Sequence, residues 1–295
     1  MLAGVVTTGW EALTAAETEL AIAGVESPHV DAEWLLAGIL GVGRAELDRV
    51  LVDVLPEPVV RAYRAAIQRR AAGEPLQQIL GWEGFRGLRL SVTPDVLIPR
   101  PETEVLVDIA LRLLASPQRG VRPRVVDLGT GSGCIACTIA HERSDANVLA
   151  LDCSDAAARL ARDNVEGLGF ADRVGLVVAD MLSAVASGCA DLIVANPPYL
   201  SSAMLAAAPR EVREHEPHLA LAGGEDGLGV LRRIVDEAPR ALRRGGGLVL
   251  ETAGGDQADA VATLLRTSGW TDVVVTNDLA GIDRFVSGRF AGDEA

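Results

Sequence analysis

From Arg124 to Ser287 short apolar runs alternate with longer segments of mixed polarity, and this alternation constrains the fold more than any other feature of the chain. Val125 to Leu128, Val148 to Leu151, Val174 to Val178, Leu192 to Ala195, Gly247 to Glu251, Val273 to Thr276 and Arg284 to Ser287 have the length and side-chain types of strands. Between them, Cys134 to His141, Ser154 to Leu168, Gly227 to Leu242 and Gln257 to Ser268 carry helical spacing. Strands this apolar must be covered on both faces, and right-handed crossovers through helices accomplish that. The pattern predicts an α/β domain with a doubly wound, mostly parallel sheet.

The chain before it reads differently. From Thr8 to about Ala72 apolar residues recur at helical spacing, as at Leu13, Leu20, Trp34, Leu35 and Ile39. Ser27 and Pro28 form a cap and first helical residue, and Gly41 a stop. Pro56 to Ala72 carries Val59, Val60, Tyr63 and Ile67 on one stripe. Between Trp82 and Ile98 the period changes to two, with Gly84 and Gly87 as turn candidates, and a helix follows from about Glu102 to Leu114. The expected organisation is an all-helical domain over 1–80, a β-hairpin linker over 81–98 and the α/β domain over 99–295.

Charge narrows the partners. The net charge is -14 and the 27 basic residues are all arginine. An acidic surface disfavours broad contact with phosphate backbones, so no direct nucleic-acid binding is expected. Without lysine there is no Schiff-base chemistry and no Walker-type phosphate lysine. The opening residues lack a signal-peptide pattern and no apolar run reaches the length of a membrane span, so a cytoplasmic location is expected.

In a doubly wound sheet, ligands sit outside the carboxyl ends of the strands. The first strand, containing Asp127, runs into Gly129, Thr130, Gly131, Ser132 and Gly133. Alternate glycines let backbone approach a ligand closely, and the next helix turns its positive end toward it. A nicotinamide fingerprint requires glycine where Cys134 stands, so that class fails. The loop is similar to the first motif of class I methyltransferases. Asp152, at the end of the next strand, can accept from both ribose hydroxyls. Asp180 either accepts from an adenine amino group or is a solvated strand-end aspartate, with Met181 offering an apolar face beside it.

The most specific signal is Asn196, Pro197, Pro198 and Tyr199 after the strand Leu192 to Ala195. An amide or aromatic amino nitrogen is a poor nucleophile because its lone pair is delocalised, so it must be oriented. The Asn196 side-chain oxygen and the Pro197 carbonyl can accept two N–H groups, the prolines stiffen the loop, and Tyr199 can stack on a planar substrate. Asn196, Pro197 and Tyr199 are thus the candidate catalytic residues, and with Pro198 they form the candidate substrate site.

Here the chain resembles the HemK/PrmC-type release-factor glutamine methyltransferases, through these two loops and through GVESPHVDAEWLL from Gly24, GEPLQQILGWEGFRGL from Gly73, VLIPRPETEVLVD from Val96, EVREHEPHLAL from Glu211 and the closing GIDRFVSGR. The resemblance implies a Rossmann-like methyltransferase domain behind a helical domain that docks peptide chain release factors. It implies S-adenosyl-L-methionine as cofactor, held by Gly129 to Gly133, Asp152, Met181 and Asn196, and methylation of the glutamine of a Gly-Gly-Gln tripeptide. It also implies that Arg100, Pro101, Glu102 and Thr103 close the cofactor pocket. Gln78, where relatives usually have tyrosine, and Cys134 and Cys137 depart from the pattern. With His141 those cysteines could suggest a metal, but three ligands on one opening helix turn suit a tetrahedral ion poorly, and no metal is expected. Two rival substrates are a ribosomal-protein glutamine and a nucleic-acid base amine, which poses the same chemical problem.

Overall fold

A computed structural model describes residues 7–114 and 122–292. They fall into two compact units, one running to Trp82 and including Arg210–His215, the other formed by Glu83–Pro209 and the chain from Glu216 onward.

The first unit contains α1 (Gly9–Ile22), α2 (Pro28–Leu40), a 3-10 turn (Arg44–Arg49), α3 (Glu57–Ala71) and α4 (Leu76–Leu80). Thr8 begins α1 with a reciprocal cap: its hydroxyl accepts from the Glu11 N–H while Glu11 accepts from the Thr8 N–H at 2.8 Å. Pro28 is the first residue of α2, but the Ser27 side chain makes no capping bond there, since the fixed proline φ already initiates the turn. The helix stops at Gly41, whose φ of 69° a side chain would resist. On α3, Tyr63 and Ile67 are buried and Val59 and Val60 partly so, while the Tyr63 hydroxyl donates to the Ala32 carbonyl at 3.0 Å. Arg70, also on α3, pairs at 2.7 Å with Asp31 and at 2.8 Å with Glu211 of the returning segment. Because Arg70 and Asp31 are nearly buried, removing either would cost about 3–5 kcal/mol. Gln78 donates to the His215 carbonyl at 2.9 Å, a bond its amide makes with the same segment.

The second unit starts at Glu83, within the hairpin formed by β1 (Trp82–Phe85) and β2 (Leu88–Ser91). Its turn is Arg86–Gly87, both at positive φ, whereas Gly84 lies inside β1. Arg86 holds that left-handed conformation because its N–H donates to Glu104 and its guanidinium bonds Asp108 and Glu142. Phe85, Leu88 and Leu90 enter the core of this unit, so the hairpin is part of its packing. Then follow α5 (Thr103–Leu113), β3 (Arg124–Leu128), α6 (Cys134–Glu142), β4 (Asn147–Asp152), α7 (Asp155–Gly167), β5 (Val174–Val178) and β6 (Ala190–Ala195). The remaining elements are α8 (Ser202–Ala207), α9 (Arg210–His215), α10 (His218–Leu221), α11 (Gly229–Ala241), β7 (Leu242–Glu251), α12 (Asp256–Thr267), β8 (Trp270–Asn277) and β9 (Asp283–Phe290), of which α9 belongs to the first unit.

The sheet has the order β5-β4-β3-β6-β7-β9-β8, parallel from β5 to β7 and antiparallel where β9 joins β7 and β8. Its central strands β3, β4 and β6 are largely apolar because alternate residues serve opposite covered faces, whereas β8 and β9 at the edge carry polar and charged residues. Val125, Leu192, Val194 and Val249 enter the cluster beneath α5, α6 and the end of α7, while Val126, Ile193, Ala195 and Leu250 enter the one beneath α11 and α12. The chain reverses direction of winding between β3 and β6, and a crevice opens there outside their carboxyl ends.

Candidate active site

A cavity of about 410 Å³ occupies this crevice, a volume in the range of sites for small organic ligands. Its floor is the loop after β3. Gly129, Gly131 and Gly133 have φ of 73°, 55° and 82°, so the alternation in the sequence is an alternation of left-handed positions. Gly129 and Thr130 both donate to the Leu151 carbonyl at 2.9 Å, which ties the loop to β4. Gly133 stands behind the cavity wall, where an added Cβ would come within 3.3 Å of Ala161.

Two aspartates brace the loop. Asp127 is fully buried and accepts from the Thr130 hydroxyl at 2.6 Å and the Ala136 N–H at 3.0 Å. Burial, opposed by those bonds and reinforced by nearby Asp152, pushes its carboxyl up to about 7. Asp152 lines the cavity at the end of β4, with Oδ2 accepting from Gly131 N–H and Oδ1 from Ser154 N–H, each at 2.9 Å. An ionised carboxylate offers about four acceptor positions, so two remain for diol hydroxyls.

Asp180 is at the rim and pairs with Arg233 at 2.9 Å, a partner the sequence did not announce. Beside it Met181 lines the cavity at a φ of 50°, unusual for a residue with a side chain. The turn that follows is held by Arg240, which donates to the carbonyls of Leu182 and Val185. Of the segment 98–104, Pro99, Arg100 and Thr103 reach the wall, while Pro101 is exposed and neither it nor Glu102 lines the cavity. Arg100 donates to both carboxylate oxygens of nearly buried Glu216 at 2.7 Å, which fixes that stretch against the one preceding α10.

Asn196, Pro197 and Pro198 form the wall after β6. The Asn196 amide nitrogen donates to the Thr103 hydroxyl at 3.1 Å, and its buried Oδ1 has no partner among the described residues. A buried amide oxygen without a donor is costly, and in a cavity wall it is an acceptor that a ligand N–H could satisfy. Tyr199 lies behind the wall, packed on the cluster beneath α11, with its hydroxyl donating to Glu251 at 3.3 Å. Burial raises that phenol well above its ordinary value, so it stays protonated.

Glu251 and Gln257 belong to the site and carry no motif. Glu251 ends β7, one residue past the Ala195–Leu250 pairing that sets it next to Asn196, and it accepts from the Thr103 hydroxyl at 2.8 Å. A carboxylate closing an apolar strand at the ligand end of the sheet is the signal that could have found it. Gln257 donates to the carbonyls of Tyr199 at 2.9 Å and Gly227 at 3.2 Å, and its oxygen accepts from Ala253 N–H at 2.7 Å, which locks the loop from Asn196 to Tyr199 from outside. Cys134 lines the cavity, while Cys137 is buried in the core. Burial raises the Cys137 thiol to about 12 and Cys134 higher still, leaving neither as a thiolate. Among the described residues no group of three His, Cys, Asp or Glu side chains could hold a metal, and no helix is long and apolar enough to cross a membrane.

The sheet order, the glycine loop over β3 and the strand-end aspartate define a class I S-adenosylmethionine-dependent methyltransferase. Solved structures agree at the level of fold: the hMettl16 catalytic domain in complex with MAT2A 3'UTR hairpin 1 aligns with a TM-score of 0.56 at 17% identity, over 83% of this chain and 85% of that one. Residues 11–81 match the PrmC N-terminal domain and residues 103–225 the methyltransferase small domain. The release factor glutamine methyltransferase of Cereibacter sphaeroides is 45% identical over 95% of this chain and 97% of its own length. That of Geobacter sulfurreducens is 43% identical over 92% of each. The chain belongs to the release factor glutamine methyltransferase family.

Proposed function

We propose that this enzyme transfers the methyl group of S-adenosyl-L-methionine directly to the side-chain amide nitrogen (N5) of the glutamine in the Gly-Gly-Gln motif of peptide chain release factors. The observation that carries this reading is the Asn196 carboxamide, whose nitrogen is tied back to Thr103 while its buried oxygen has no donor among the described residues. The fit to the cofactor rests on the same wall: the glycine loop leaves room for a ligand close to backbone, and Asp152 retains free acceptor positions.

When bound, S-adenosylmethionine supplies an electrophilic methyl group. Gly129 to Ser132, Asp152 and Met181 would hold it, with Arg100, Thr103 and Asp180 completing the wall. Asn196 Oδ1 and the Pro197 carbonyl accept the two amide N–H groups, which turns the nitrogen lone pair toward the methyl. As the new bond forms, positive charge grows on the nitrogen and both acceptors strengthen, so they act most in the transition state. No base is needed first; the surplus proton passes from the nitrogen to water after transfer. Pro198 stiffens the loop, and Tyr199 supports it from behind through Glu251.

Among the described residues, none of the first unit lines the cavity, and we assign that unit to docking the release factor. The net charge of -14 favours a protein substrate over RNA, in the cytoplasm where release factors act. Labelled cofactor would be incubated with purified release factor, the same factor with glutamate in place of the motif glutamine, and RNA. Label entering only the first is expected; label in the RNA, or in the glutamate form, would overturn the reading.

A further inference from the structure

Thr103 has one hydroxyl proton and stands between two polar groups, 2.8 Å from Glu251 Oε2 and 3.1 Å from the Asn196 amide nitrogen. We propose that Glu251, acting through Thr103, is the positioning residue that decides which end of the Asn196 carboxamide faces the substrate. This deepens the assignment of Asn196 given above and rests on it.

The argument follows the proton. Glu251 is fully buried, and the oxygen it turns to Thr103 accepts a hydrogen bond. While Glu251 is ionised, the Thr103 proton is therefore committed to it, and only the oxygen lone pairs remain for Asn196. A lone pair requires an N–H, so the carboxamide must present its nitrogen to Thr103 and leave Oδ1 free. Tyr199 donates to the other Glu251 oxygen, so both ends of the carboxylate are fixed. Arg284 and Glu102 also act on Glu251, and Arg284 is itself held at 2.9 Å by Asp278. Without an acceptor at position 251 the Thr103 proton would turn to Asn196 Oδ1, the amide would reverse, and its NH2 would meet the substrate NH2, donor against donor. The relay thus favours a substrate end that carries N–H over one that carries oxygen alone, which separates glutamine from glutamate.

Two variants break the relay and two restore it. Glu251→Met removes the acceptor at similar length, and Thr103→Val removes the hydroxyl at constant shape. Glu251→Gln keeps an oxygen that can face Thr103, and Thr103→Ser keeps the hydroxyl. In the full-length enzyme the breaking pair should lower kcat at saturating substrates by about 10-fold or more, with cofactor affinity and KM much less affected, and the restoring pair should lie within about 3-fold of wild type. In an Asn196→Ala background Thr103→Val should add no further loss, because its effect passes through Asn196. A merely structural role would instead add its loss in full.

Orientation can also be read without substrate. In protein isotope-labelled at asparagine, the Asn196 side-chain amide signals, identified by their absence in Asn196→Ala, should shift in Glu251→Met and Thr103→Val and stay in place in Thr103→Ser. Signals unmoved in Glu251→Met, or turnover of the breaking pair within about 3-fold of wild type, would overturn the relay. A wild-type enzyme inactive on release factor would count against the proposed substrate instead, and the resonance measurement would still decide the relay.

Discussion

Replacing Asp152 by asparagine changes almost no volume, yet the hydrogen bonds around it predict that this is at least as damaging as removing the side chain. Its two oxygens already accept from Gly131 and Ser154 at 2.9 Å. In asparagine one oxygen becomes an NH2, so one of these backbone N–H groups must face a donor. Leaving a buried donor unpaired costs about 1–3 kcal/mol. Loss of a charged acceptor for the ribose adds a comparable amount, since hydrogen bonds to charged groups contribute about 1.5–3 kcal/mol. Asp152→Ala admits water to the vacated space and should lose mainly the second contribution, a fall in cofactor affinity of roughly 10- to 100-fold. Asp152→Asn should fall by that much or more. Titration calorimetry with S-adenosylmethionine measures both, with thermal unfolding as a control for folding. An asparagine variant binding within about 3-fold of wild type would show that the carboxylate neither braces the glycine loop nor holds the ligand.

Asn196→Ala should reduce kcat by about 10²- to 10³-fold while cofactor affinity changes little, and Tyr199→Phe, which loses only the 3.3 Å bond to Glu251, should be mild; single-turnover methyl transfer compares them. At Gly227, φ is 77° and a Cβ would lie 2.5 Å from the Tyr199 carbonyl and 2.6 Å from Gln257, so Gly227→Ala should displace the loop from Asn196 to Tyr199 and lose both activity and thermal stability. Burial raises Glu251 from its ordinary 4.5 to about 7, so the folded state binds that proton more tightly than the unfolded chain does. The associated stability is fully present below about pH 4.5 and is lost as pH rises through about 7. Between about pH 5 and pH 8 the unfolding temperature of wild type should therefore fall more steeply than that of Glu251→Gln, and equal slopes would refute the assignment.

What the sequence made legible was local. The glycine loop, Asp152 and Asn196 each follow an apolar strand within a few residues, so strand pattern and loop chemistry could be read together. The same holds for the sheet strands, whose apolar runs match the observed elements to within a few residues at most ends. What stayed hidden depends on distant partners. Glu251 acquires its role from Thr103, 148 residues away, and from Tyr199, 52 residues away. Asp180 looked free because Arg233 reaches it from α11. Arg86 occupies a left-handed turn position that its type disfavours, paid back by bonds to Glu104, Asp108 and Glu142, and so Gly84 looked the equal of Gly87 as a turn. The short helices α8 and α10 carry too few turns for a helical period to show.

The return of α9 to the first unit has a consequence for the order in which the protein is made. Glu211 follows Arg70 by 141 residues, and His215 follows Gln78 by 137. As the nascent chain leaves the ribosome, α1 to α4 can assemble and Arg70 can find Asp31, but Gln78 lacks its carbonyl and Arg70 its second carboxylate until β3 to β6 have been synthesised. The amino-terminal unit is thus among the first parts to form and among the later ones to be completed. For the same reason a chimaera that exchanges this unit between relatives by joining at Trp82 alone would inherit a foreign α9, and a faithful exchange must carry residues 210–215 as well.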